Sequence, residues 1–141
     1  MLPEMEMLQY IYKTADMGVS GIDSVLKRME GSCIQEALES QRSEYLAISQ
    51  EAKTLIENRG GEAEGAGAMA RLSADWMTAG KLAVDDSASK IAEMTIQGTA
   101  MGITKTLRHL HDIEGNGEAV KLGQQLLHLQ ERNLEAMKKY L

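Results

Sequence analysis

Three observations predict an all-α fold built from four long helices. The stretch from Ser87 to Gly115 has no proline and spaces Ala92, Ile96, Thr99, Ile103, Thr106, Leu110 and Ile113 alternately by four and three, which is one stripe on an α-helix. Three other segments carry matching stripes. The composition, with no Phe, one Trp, four Tyr, ten Met and a single Pro, favours helices over strands, which draw on aromatic and β-branched residues. With 141 residues, 43% of them hydrophobic, the chain is expected to be a single helical-bundle domain, 1–141, with a core of its own.

The first helix is expected to start at Pro3, whose missing N–H costs nothing in a first turn, with Glu4 and Glu6 near the positive end of the dipole. Its stripe reads Leu8, Tyr12, Ala15, Val19, Ile22, Leu26 and Met29, and Gly31 with Ser32 ends it. Gly18 and Gly21 lie inside it, and interior glycine costs roughly 1 kcal/mol against alanine, so a close helix approach is expected there. The second helix is predicted from about Cys33 to Asn58, on Ile34, Leu38, Gln41, Tyr45, Ile48, Ala52 and Leu55. The short connection makes these two helices antiparallel neighbours. Cys33 reads as a small buried hydrophobe beside the core.

Arg59 to Ala68, RGGEAEGAGA, is a glycine-rich break. It lacks the preceding strand and the Lys-Ser/Thr of a phosphate-binding loop, and Glu62 and Glu64 would repel phosphate, so it reads as a linker. Met69 to Val84 has Met69, Leu72, Trp76, Leu82 and Ala83 at helical spacing, and Ser87 then caps the central helix. A linker plus a short helix spans about the 40 Å length of the second helix. The connection can therefore run the length of the bundle, leaving the second and third long helices parallel. The fourth follows Gly115, Asn116 and Gly117, with Val120, Gly123, Leu127, Gln130, Leu134, Met137 and Leu141 as its stripe.

Charge and cysteine usage exclude several classes. The net charge of −6, with no basic cluster, argues against nucleic-acid binding through phosphate neutralisation. No apolar run approaches the ~18 residues of a membrane span, and the single Cys cannot form an internal disulfide. The N-terminus lacks the pattern of a signal peptide, which makes the cytoplasm the expected compartment.

The run SQRSEYLAISQEAKTLIENRGGEAEG (40–65), followed by ARLSADWM (70–77), resembles bacterial ferritin-like helical-bundle proteins of unknown function, distant relatives of rubrerythrin. The likeness rests on Gln41-Arg42-x-x-Tyr45, Arg59-Gly60-Gly61-Glu62 and Trp76-Met77 and extends from about Gly18 onward. It implies a ferritin-like four-helix bundle with a long crossover connection containing a short extra helix.

Such a bundle raises the question of a di-metal site, which takes a Glu from each of two helices and Glu-x-x-His from each of the others. Glu-x-x-His does not occur in this sequence, and the polar residues on the seams are Gln41, Thr99, Thr106 and Gln130, all neutral. His109 and His111 are about 200° apart around a helix, and pairing about Gly115 places His128 opposite Ile103. The expectation is no catalytic residue, no metal ligand and no cofactor, with Gln41, Glu44, Thr99 and Gln130 as a buried polar layer or ligand pocket. Iron or manganese belongs only to the alternative, a metal-binding oxidoreductase or iron-handling protein.

Met94 and Met101 lie opposite the stripe of the third helix, with Lys90, Gln97 and Arg108. Met adapts to irregular partners, so this face could pair with another subunit in a homodimer or lie under the crossover. Gly98 and Gly102 permit close approach, expected at Gly18 or Gly21.

Overall fold

A computed structural model describes residues 2–65, 87–113 and 115–141. Among them four long α-helices form: α1 (Glu4–Leu26), α2 (Gln35–Asn58), α3 (Ala88–Asp112) and α4 (Glu118–Met137). Short 3-10 turns at Lys27–Met29 and Lys138–Tyr140 extend α1 and α4. The described residues contain no strand, only an isolated backbone bridge between Leu2 and Ile113. None of the described helices is long and apolar enough to cross a membrane.

Local chemistry sets the helix ends. The Ser87 hydroxyl accepts the Lys90 N–H at 3.2 Å and so caps one of the open donors of α3. At the end of α2, Gly60 turns left-handed (φ +80°), its N–H bonds the Glu57 carbonyl, and the Gly61 N–H reaches back to the Ile56 carbonyl at 3.0 Å. That pair of bonds is a Schellman cap, which needs glycine at the left-handed position. The first half of the expected linker is thus a helix stop. The next residues are strapped along α1, where the Gln9 amide donates to the Glu62 carbonyl (2.7 Å) and accepts the Glu64 N–H (2.9 Å).

One end of the bundle fixes the direction of all four helices. Arg59, just past α2, donates to Glu4 at the start of α1 (3.1 Å) and to Glu118 at the start of α4 (3.2 Å). At that end too, the Leu2 N–H bonds the carbonyl of Asp112 at the end of α3 (2.8 Å). Hence α1 and α4 start there while α2 and α3 finish there, and α2 and α3 run parallel. The chain between them joins opposite ends, and the helix expected at Met69 to Val84, with Trp76, lies outside the described residues.

Arg59 also donates to the Leu55 carbonyl at 3.0 Å, so one side chain caps α2 and ties three helix ends together. Its partners are partly exposed, which limits the strength of each pair. Arg59→Ala is expected to lower unfolding stability by about 1 kcal/mol in dilute buffer, with the loss shrinking in concentrated salt. A urea titration at two salt concentrations checks this, and an unchanged midpoint at low salt would refute the role of the hub.

The core is built from Met7, Leu8, Ile11 and Val25 of α1, Leu38 and Ile56 of α2, Ile91 and Ala92 of α3, and Leu122 and Leu126 of α4. Three expectations need correction. The buried face of α4 centres on Leu122, Leu126, Leu129 and Asn133, so Leu127 and Leu134 sit at its margin although Gly123, Gln130 and Met137 are buried as expected. Cys33 is exposed, because α2 starts two residues later and Ile34 takes the buried place. The glycines do not meet one another: Gly18 faces the Tyr45 ring, Gly102 faces the Gln130 amide, and Gly98 faces open space.

Candidate functional site

The buried polar side chains among the described residues are amides and hydroxyls: Gln41, Ser49, Thr99, Thr106, Gln130 and Asn133. Gln41 comes from α2, Thr99 from α3, and Gln130 and Asn133 from successive turns of α4, all 8% exposed or less. Two aromatic groups organise them. The Tyr45 ring packs onto α1 at Gly18, where a Cβ would lie 2.7 Å from the ring, and its hydroxyl has Asn133 and Thr99 beside it. Burial drives the Tyr45 phenol up to about 12, because a phenolate would lose its water there. Asn133 and Thr99 pull the other way, and the negative charge of Glu44 adds to the rise.

Glu44 does not join the layer. Its carboxylate accepts a hydrogen bond from Arg132 of α4 on the bundle surface. That pair also sets the register between α2 and α4, placing Gln41 and Gln130 roughly 7 Å apart along the bundle axis at 1.5 Å per residue. Asn133 falls between them. The polar groups therefore occupy a slab about one and a half turns thick, and no direct bond joins the two glutamines.

Within the slab, three amide atoms are buried with no partner at full hydrogen-bond distance among the described residues: Gln41 Nε2, Gln130 Oε1 and Asn133 Nδ2, the last beside the Tyr45 hydroxyl. Buried polar atoms are nearly always bonded, since each orphan costs about 1 to 3 kcal/mol. The set does not fit iron or manganese. The orphans are amide groups of mixed polarity, which bind hard cations poorly without carboxylates beside them, and among the described residues no carboxylate is buried with them. Nor do the described residues contain a group of three His, Cys, Asp or Glu placed to hold a metal ion.

A second polar cluster lies toward the Arg59 end. Tyr10 of α1 stacks on His109 of α3 with ring centres 3.7 Å apart, and its hydroxyl shares a 2.9 Å hydrogen bond with Thr106. Burial raises the Tyr10 phenol, with the neighbouring Thr106 and Thr14 hydroxyls opposing. The His109 Nδ1–H donates to the Lys105 carbonyl at 2.8 Å, one turn back on its own helix. Beside this stack a groove of about 400 Å³ opens between Leu2, Met5, Gln9, Lys13 and Glu64. His111 and His128 are exposed on α3 and α4 and do not approach it.

Asn133 and the Tyr10–His109 stack are the residues that sequence reasoning missed. Asn133 carried a usable signal, for it lies seven residues after Leu126 and three after Gln130. The stack had none, since it joins residues 99 positions apart on helices with no sequence register between them. The chain matches no protein family, no curated protein and no solved structure.

Proposed function

We propose that this chain is a non-catalytic binding or assembly module of the ferritin-like type, acting as a homodimer through the outer face of α3. The observation that carries the first half is the chemistry of the buried layer. Amides and hydroxyls can fix the register of a bundle, yet they supply neither a general acid or base near neutrality nor the carboxylates a hard cation requires. The parallel course of α2 and α3 supports the ferritin-like arrangement, in which one long connection joins opposite ends of the bundle. Support for assembly comes from Met101, 60% exposed on the outer face of α3, whereas Met94 on that face is covered and Leu107, 40% exposed, lies about 120° away around the helix. A flexible apolar side chain left in water on that face suits a partner surface.

Two measurements test the reading. Metal analysis of protein purified without a histidine tag is expected to find no stoichiometric iron or manganese; about two ions per chain, lost on Gln41→Ala or Gln130→Ala, would favour the oxidoreductase or iron-handling alternative. Sedimentation is expected to give a dimer that Met101→Lys weakens by about tenfold or more, since a lysine ammonium would have to be desolvated at the contact. A wild-type monomer at every concentration would remove the dimer.

A further inference from the structure

The three orphaned amide atoms point to a ligand. We propose that the slab between α2, α3 and α4 is an internal hydration site, in which ordered water accepts hydrogen bonds from Gln41 Nε2 and Asn133 Nδ2 and donates one to Gln130 Oε1. Each atom belongs to a side chain that is 3% exposed or less, and among the described residues none has a partner within full hydrogen-bond distance, although Asn133 lies beside the Tyr45 hydroxyl. Their chemistry specifies the occupant. With two donors and one acceptor the set is mixed in polarity, which suits neither a bare cation nor an anion. A species that accepts twice and donates once remains, and water does both. Turning all three amides over gives two acceptors and one donor, which water meets equally well.

The setting suits water in two further ways. Gln41 and Gln130 stand roughly 7 Å apart along the axis, within the reach of two glutamine side chains joined through water. Folded domains hold on the order of one buried water per ~27 residues, typically with about three hydrogen bonds to groups that would otherwise be unsatisfied. Gly102 takes part as well. A Cβ there would lie 2.7 Å from Gln130 Nε2, so its hydrogen side chain leaves room for the Gln130 amide in the slab.

A high-resolution crystal structure of the full chain tests the site directly. The expected result is a water within hydrogen-bond distance of Gln41, Asn133 and Gln130. In solution, the side-chain amide protons of Gln41 and Asn133 are expected to show cross-relaxation with water of the sign given by slowly exchanging molecules. Gln130→Met, which removes the acceptor at similar volume, is expected to abolish those signals while the circular dichroism remains helical; should that variant not fold, the wild-type measurements decide alone. Amides bonded directly to one another, an Asn133–Tyr45 bond with no water between, or an ion at metal-ligand distances would each overturn the proposal.

Discussion

Gly18→Ala is expected to destabilise the protein by about 2 kcal/mol, although alanine is the better helix former by roughly 1 kcal/mol. The reason is the Tyr45 ring, three of whose atoms lie 2.7–2.8 Å from where the new Cβ would be. Real contacts of that length do not occur, so the ring or the helix must move. The ring has little freedom, for Tyr45 is only 8% exposed and its hydroxyl end sits among Asn133 and Thr99. Overpacking a filled core costs about 1 to 3 kcal/mol and here outweighs the gain in propensity. Gly18→Val adds a second branch and loses the propensity gain, so roughly 3 kcal/mol or more is expected. Gly98→Ala is the internal control. Nothing lies within 4 Å of the Cβ it would add on exposed α3 surface, so the same substitution is expected to stabilise by up to about 1 kcal/mol. Urea unfolding of the three variants reads the signs, and equal midpoints for Gly18→Ala and Gly98→Ala would show that α1 does not need this close approach.

Those two glycines also show how far the sequence reaches. Gly18, Gly98 and Gly102 all sit inside helical patterns, and pattern alone marks each as a place of close approach. Which of them has a neighbour, and whether that neighbour is a ring, an amide or water, depends on helix rotation, and rotation is decided between helices rather than within one. The same limit explains α4. Leu126 and Leu127 are adjacent, as are Leu129 and Gln130, so two stripes a residue apart are nearly equally apolar. Packing against Met7 and Leu110 at Gly123 selects the one through Leu122 and Leu126. Features that depend on few residues in a row were legible: the Ser87 cap, the acidic start of α1, and the break at Gly60. Gln41, Thr99 and Gln130 were readable as buried because each interrupts an apolar stripe. Glu44 was not separable from them, since only the position of Arg132 reveals that its carboxylate turns outward.

The Tyr45 phenol gives a pH dependence of predictable sign. In the unfolded chain it ionises near 10, whereas burial in the folded chain raises it to about 12. The folded state therefore holds this proton where the unfolded state has released it. The contribution is fully present below about pH 10 and is lost as pH climbs toward 12. A two-unit difference corresponds to roughly 3 kcal/mol over the whole window, about half of it spent by pH ~11. Tyr10 is raised by burial as well and acts with the same sign, so the wild-type slope alone does not isolate Tyr45. The comparison with Tyr45→Phe does, because Tyr10 is common to both. The variant loses any hydroxyl contact to Asn133 and Thr99 at neutral pH, a cost of about 1 kcal/mol, but it has no buried phenol to ionise. Its stability is expected to fall less steeply above pH ~10, so the gap between the proteins narrows and then reverses. Urea unfolding from pH ~8 to ~11 measures both curves. Parallel curves across that range would mean that the Tyr45 hydroxyl is as well solvated in the folded bundle as in the unfolded chain, and the slab between α2, α3 and α4 would then be open to bulk water.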